Sequence, residues 1–347
     1  MRRRVPLAIL VLPVLTASAA CDRSAATPPA AQTDAPVVAT PSAGPKTTSS
    51  PAPTAEPGPT AVAGSIANAA PPAVKPAVVA PDGTAALPCN ANGPADMACI
   101  DGGPFLRGTD DGPENARPQS TVWVQTFYMD LREVTYAEYE ACEKEKRCND
   151  ARPRYTDYDH PNMPMTGVSW FDAVKYCEAH GKRLPSEAQW EKAARGTEGA
   201  LYPWGNDPIT CERAIYRDAS GRGCGLKKQF SKPETGRPWD VGSRPAGVYG
   251  LFDMVGNSWE WVDDWYSKSY AHCGAACEGV DPRGPCGGEP TCATTRNKIV
   301  RGGSWYWEDE KATGVYRRAH VPSNDPFHHF GFRCAATVEQ AAALAAK

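Results

Sequence analysis

The chain has 347 residues, with 37 Lys and Arg against 40 Asp and Glu and a net charge of −3. Near-neutral charge without a basic stripe excludes a nucleic-acid footprint, so no nucleic-acid partner is expected. No apolar run approaches the roughly 20 residues that a membrane-spanning helix needs.

The chain opens with Met1, Arg2, Arg3 and Arg4, then an apolar run from Val5 to Leu15, then Ala17-Ser18-Ala19-Ala20-Cys21. A charged start, a short apolar core and small residues before a cleavage point predict a signal peptide over residues 1–20. Cys21 resembles the lipidated cysteine of bacterial lipoproteins, although Ser18 stands where such sites usually carry Leu. Ordinary signal cleavage nearby is the other reading. Lipidation at Cys21 predicts an exported protein held in the cell envelope, anchored to a bacterial membrane.

Residues 21–87 are rich in Ala, Pro, Thr and Ser and hold no aromatic residue. Such a stretch buries too little apolar surface to offset its ordering entropy, so it is expected to be a disordered tether. As a flexible coil it would average about 50 Å in reach. All ten Trp, thirteen Tyr and eight Phe lie beyond it. The roughly 250 residues that remain suffice for one large core. The boundaries read as a domain over 88–337 and a tail over 338–347.

Within the domain, Val122 to Met129 predicts a strand with aromatic content. Thr135 with Glu138 is a capping box and starts a helix to about Lys146. Ser169 heads a second helix, with Asp172 near its positive end and a stop at Gly181. Ser186 with Gln189 caps a third, which carries Trp190, Ala193 and Ala194 and stops at Gly196. Gly250 to Trp261 alternates glycine turns with aromatics. Ile299 to Trp305 and Gly331 to Ala335 predict short late strands. Few helices and much Gly- and Trp-rich irregular chain predict an α+β fold.

Apart from Cys21 there are twelve cysteines. An even number in an exported chain predicts disulfides. Cys89–Cys99, Cys142–Cys148 and Cys211–Cys224 are candidate pairs by proximity. Cys273, Cys277, Cys286 and Cys292 have spacings that zinc could use. Their Gly- and Pro-rich, oxidising setting favours two disulfides stapling a surface loop.

An ordered series of motifs spans the domain. It runs through Gly102-Gly103-Pro104-Phe105, Val168-Ser169-Trp170-Phe171-Asp172-Ala173, Arg183-Leu184-Pro185-Ser186-Glu187-Ala188-Gln189-Trp190-Glu191 and Tyr202-Pro203-Trp204-Gly205. It continues with Gly250-Leu251-Phe252-Asp253-Met254-Val255-Gly256-Asn257-Ser258-Trp259-Glu260-Trp261, Arg301-Gly302-Gly303-Ser304-Trp305 and Gly331-Phe332-Arg333-Cys334. Over roughly residues 99–337 this resembles the formylglycine-generating enzyme, or sulfatase-modifying factor, family. The resemblance implies an irregular fold of the C-type-lectin type and a core disulfide between Cys177 and Cys334.

Family enzymes oxidise a protein cysteine to formylglycine with oxygen and copper(I), held by two cysteines shortly after the Gly-Gly-Ser segment. Soft copper(I) prefers thiolates. Here the matching positions fall at about Trp307 and Ala312, and no cysteine lies between Cys292 and Cys334. Copper is therefore not expected, and formylglycine generation is set aside. Another branch of the fold uses a three-histidine iron site built partly on a separate helical domain. His328 and His329 are adjacent and would point apart in an extended chain. The histidines are read instead as surface or structural.

The resemblance also implies a calcium site, with Asp253, Gly256, Asn257 and Glu260 as its candidate ligands. Hard oxygen donors suit calcium. The alternative is that these groups cap turns and bridge arginines. A ligand groove is expected along Trp259, Ser304, Trp305, Trp307, Arg317 and Arg333, with at least one of Trp305, Tyr306 and Trp307 buried. Aromatics with arginine are what recognition sites use. The expected function is a non-catalytic module binding a protein, peptide or glycan. The alternatives are an enzyme forming formylglycine, or a repurposed oxidoreductase on the same fold.

Overall fold

Three helices begin at the residues that cap them. In the computed structural model, which describes residues 78–89, 92–233, 235–323 and 328–347, α1 covers Tyr136–Lys144, α2 Trp170–Ala179 and α3 Glu187–Arg195. Thr135, Ser169 and Ser186 each accept a hydrogen bond from the third helical residue, and the side chain of that residue returns one to the cap backbone. Two otherwise orphaned N–H groups are satisfied at each start. A single helical turn, α4, covers Tyr270–Cys273, and α5 covers Val338–Ala345. The expected tail is therefore a helix, capped by Thr337 with Gln340.

Among the described residues, nine short strands form three sheets. β1 (Met97–Ile100), β4 (Phe127–Asp130) and β9 (Ala335–Thr337) make one, with β4 in the middle and both pairings antiparallel. β2 (Gly103–Arg107) pairs with β3 (Ser120–Val124). β5 (Trp259–Trp265), β6 (Lys298–Arg301), β7 (Arg317–His320) and β8 (Phe330–Gly331) form a four-stranded sheet in the order β7-β6-β5-β8.

The strand expected over Val122–Met129 is two strands in two sheets. The chain turns at Gln125-Thr126, where the Thr126 hydroxyl accepts from the Gly102 N–H at 2.8 Å and donates to the Leu87 carbonyl. The strand expected to reach Trp305 stops at Arg301, because Gly302 and Gly303 take φ of +88° and +79°. The described chain also begins inside the expected tether. Val79 bridges to Ala85, and residues 78–87 lie against the domain. The signal peptide, Cys21 and the rest of the tether lie outside the described residues.

Two main clusters form the core. One packs α1 and α2 with Trp259, Trp261, Phe330 and Phe332, and the other packs α3 with Ile100, Phe105, Val124, Phe127, Leu251 and Ile299. All twelve cysteines of the domain are paired, as Cys89–Cys99, Cys142–Cys148, Cys177–Cys334, Cys211–Cys224, Cys273–Cys277 and Cys286–Cys292. Cys177–Cys334 ties α2 to the approach to β9 across 157 residues. Among the described residues no helix is long and apolar enough to cross a membrane.

Candidate functional site

The loop after β6 rests on a buried ion-pair floor. Arg301 donates to Glu187 at 2.7 Å and to Glu191 at 2.9 Å, and Arg195 donates to Glu191 at 2.5 Å. Arg317 grips both oxygens of Glu187. Buried charges persist only when paired and hydrogen-bonded. Glu191 also accepts from the Gly108 N–H and the Tyr270 hydroxyl. Burial pushes Glu191 up, but Arg301 and Arg195 more than offset it and hold it at about 2. Arg301 further donates to the Gly314 carbonyl at 2.6 Å, which fixes the far end of the loop.

On this floor Gly303 brings its backbone against the returning chain. A Cβ there would sit 2.6 Å from the Ala312 Cα, and φ of +79° already favours glycine. The Trp305 N–H then donates to the Asn257 carbonyl and the Trp305 carbonyl accepts from the Gly223 N–H, while the Trp307 carbonyl accepts from the Arg217 N–H. The 305–307 segment is thereby sewn to the 215–223 loop on one side and to the 257 turn on the other.

The expected groove residues divide sharply. Trp259, Ser304, Trp305, Arg317 and Arg333 are buried and do not line an open groove. Arg317 is drawn inward by Glu187 and Arg333 by Glu260, because a guanidinium in a core needs a carboxylate. Trp259 belongs to the core around Cys177–Cys334, and Trp305 packs with Tyr158 and Ile215. Trp307 alone of the six is half-buried. Its neighbour Tyr306 is half-buried as well.

Around Tyr306 the structure gathers rings and cations that no single motif announces. Tyr306 packs against Trp305, Trp307, His328 and His329, with ring centres 5.2–5.8 Å away. His328 also packs on Tyr155 at 5.6 Å. The Arg222 guanidinium lies 3.6 Å from the Tyr306 ring centre, the Lys228 ammonium 3.5 Å from that of Tyr155, and Arg318 5.1 Å from Trp307. Burial, and then Arg154, Lys228 and Arg222, push His328 down to about 4, so its imidazole is neutral at pH 7. Sequence reading left His328 and His329 as surface or structural. Arg154, Tyr155, Arg222 and Lys228 were missed, since the first two come from the connection after α1 and the last two from the long connection after α3, and none carries a local signature.

The 253–260 segment makes the expected turn. Asp253 and Asn257 take φ of +55° and +49°, a left-handed conformation that Asp and Asn tolerate. Glu260 accepts from Arg333 through both oxygens and from the Trp190 indole at 2.7 Å. The Asn257 side chain accepts from the Trp239 N–H at 3.0 Å and donates to Glu133 at 2.8 Å. Gly256 donates its N–H to the Gly302 carbonyl. Here these groups cap turns and bridge an arginine, and among the described residues no group of three His, Cys, Asp or Glu is arranged to hold a metal. Burial, then Asp253 and Glu260, push Glu133 well up, because three carboxylates face the single Arg333.

A sparse α+β scaffold with a Gly-Gly-Ser loop, a Gly-Asn turn and a Cys177–Cys334 core bridge defines a sulfatase-modifying-factor type of domain. The profile of the sulfatase-modifying factor enzyme 1-like domain matches residues 84–338, and the chain belongs to that family. It is 38% identical over 187 residues to the formylglycine-generating enzyme of Thermomonospora curvata, covering 51% of this chain and 57% of that one. It is 30% identical over 299 residues to the formylglycine-generating enzyme of Bos taurus, covering 70% and 75%. It is 32% identical over 266 residues to serine/threonine-protein kinase pkn1 of Chlamydia caviae, covering 70% of this chain but 38% of that protein. The match thus spans under two thirds of the Thermomonospora and Chlamydia proteins. Among solved structures, PvdO from Pseudomonas aeruginosa superposes with a TM-score of 0.56 at 24% identity, covering 70% of this chain and 94% of that one, which speaks to fold alone.

Proposed function

We propose that this domain is a non-catalytic binding module of the family. One observation carries the reading. The two positions where the resemblance expects copper-holding thiolates are Trp307 and Ala312, and all twelve cysteines of the domain are in disulfides. Without a thiolate pair there is no soft donor set for copper(I). The indole of Trp307 stands instead beside half-buried Tyr306, within a cluster of rings and guanidinium groups suited to recognition.

The competing reading is an enzyme of the family. Incubation of the purified protein with a Cys-x-Pro-x-Arg peptide, copper(I) and oxygen separates the two. No aldehyde above a protein-free control is the expected result, and aldehyde formation would overturn the proposal.

Six disulfides fit an exported protein. Lipidation of Cys21 is the proposed means of envelope retention. Labelled fatty acid should enter the wild-type protein and not Cys21→Ala. Calcium is proposed as a stabilising ion near Asp253, because a divalent cation would balance the excess of carboxylate over Arg333. A higher melting temperature in calcium than in chelator is expected, and an unchanged one removes the ion from the reading.

A further inference from the structure

Residues 227–231 form a loop that is bonded at its base and at its tip. At the base, the Arg237 N–H donates to the Leu226 carbonyl and the Lys228 N–H to the Thr235 carbonyl, both at 3.2 Å. At the tip, the buried Asp157 carboxylate accepts from the Gln229 and Phe230 N–H groups and from the Ser231 hydroxyl. The Lys228 side chain turns inward, its ammonium 3.5 Å from the Tyr155 ring centre. The backbone cannot carry Phe230 back onto the domain without breaking these bonds and leaving a buried carboxylate unsatisfied. Phe230 is therefore held out at 74% exposure, more than any other large apolar side chain among the described residues.

The surroundings of this ring are basic. Lys227 and Arg154 are exposed, and neither makes an ion pair among the described residues. After burial, the positive field of Arg154, Lys228 and Arg222 is what depresses the neighbouring His328. The ring also stands alone. The other exposed large apolar side chains are Val78, Val79, Leu87, Phe171 and Val321, none of them in this loop. A protein hot spot sits inside a ring of packed contacts that shuts out water. A single aromatic ring on a fixed loop with cations beside it suits a layered partner instead. The ring enters the apolar layer while the ammonium and guanidinium groups stay with the phosphates above it.

We propose that the 227–231 loop docks on an anionic lipid surface, with Phe230 inserted at the acyl boundary and Lys227 and Arg154 against the headgroup phosphates. This surface is separate from the Tyr306 cluster and does not depend on what that cluster recognises. An acyl group at Cys21 would keep the loop at high local concentration near a bilayer, so a weak contact suffices.

The test uses the full chain carrying Cys21→Ala, so that no acyl group contributes. Phe230→Trp is made in that background, and the emission it adds over its parent is followed. On vesicles of phosphatidylglycerol with phosphatidylcholine, that emission should shift to the blue and be quenched by brominated acyl chains. Phosphatidylcholine alone should give little of either, and added salt should weaken both. Adding Lys227→Ala should raise the lipid concentration for half-maximal quenching by about fivefold. Phe171→Trp places the new indole at another exposed ring, 51% exposed on α2, and should show no quenching. Phe230 and Lys227 are exposed, so these changes leave the core intact. Absence of quenching in Phe230→Trp leaves the ring to a protein partner and overturns the proposal. Equal quenching in Phe171→Trp, or equal quenching on neutral and anionic vesicles, overturns it as well.

Discussion

Arg317 holds Glu187 in a fork, Nε to Oε1 at 2.7 Å and Nη2 to Oε2 at 2.8 Å, with both side chains buried. The pair joins the first turn of α3 to β7, 130 residues apart. It is the corner of a network that continues through Arg301 and Glu191 to Arg195.

Removing one partner leaves the other charged in the core. Arg317→Ala is expected to destabilise the fold by about 3–5 kcal/mol. Denaturant unfolding measures it. A loss under about 1 kcal/mol would show that Arg301 alone satisfies Glu187.

Glu191, held at about 2 against an ordinary value of 4.5, sets an acid limit. Its folded-state pKa is depressed, so its contribution is present above about 4.5 and is lost as pH falls toward about 2. Stability followed from pH 6 to pH 2 should drop through that window. Glu191→Gln should flatten the drop while lowering stability at pH 7.

Asp264 runs the other way. Burial, and then the Glu187 carboxylate, push it up to about 7 from 3.8. Between those values the folded state holds a proton that the unfolded chain releases, so stability falls as pH rises. Asp264→Asn keeps an acceptor for the Glu187 N–H, which now donates to Asp264 at 2.8 Å. The variant should match wild type at pH 4 and exceed it at pH 8. Equal midpoints at pH 8 would refute the assignment.

The disulfides should differ in weight. Cys177–Cys334 spans 157 residues and Cys142–Cys148 spans 6. Loop-closure entropy assigns about 5 kcal/mol to the first and about 2 kcal/mol to the second. Paired Cys→Ala variants compared by thermal unfolding should keep that order.

Gly303→Ala places a Cβ 2.6 Å from both the Lys311 carbonyl and the Ala312 Cα. The left-handed backbone alone costs about 1–2 kcal/mol. The 311–312 chain must also shift, which altered Trp307 fluorescence would report.

The helices were legible because a cap and its reciprocal residue sit three positions apart. Thr337 with Gln340 carried the same signal for α5, which sequence reading passed over as a tail. The break after Val124 was not legible, since Thr126 answers to Gly102 and Leu87. The motifs identified the family scaffold but misdirected Arg317 and Arg333 to a groove. Their carboxylates lie 130 and 73 residues away, and only the fold brings them together. The Tyr306 face was hidden for the same reason, since Arg154, from the connection after α1, and Arg222 and Lys228, from the connection after α3, meet His328 only in the fold.

β4 has β1 on one side and β9 on the other. Pro94 and Asp96, just before β1, border the same cleft as Leu344 near the end of α5. Earlier still, Thr84, Ala85 and Leu87 border one cleft with Thr337 and Glu339 at the start of α5, so the first and last described parts of the domain are neighbours. Such a body behaves as a cassette. It can be spliced into a surface turn of a host protein without prying the host apart, or its ends can be joined and new ones opened in the connection between β5 and β6.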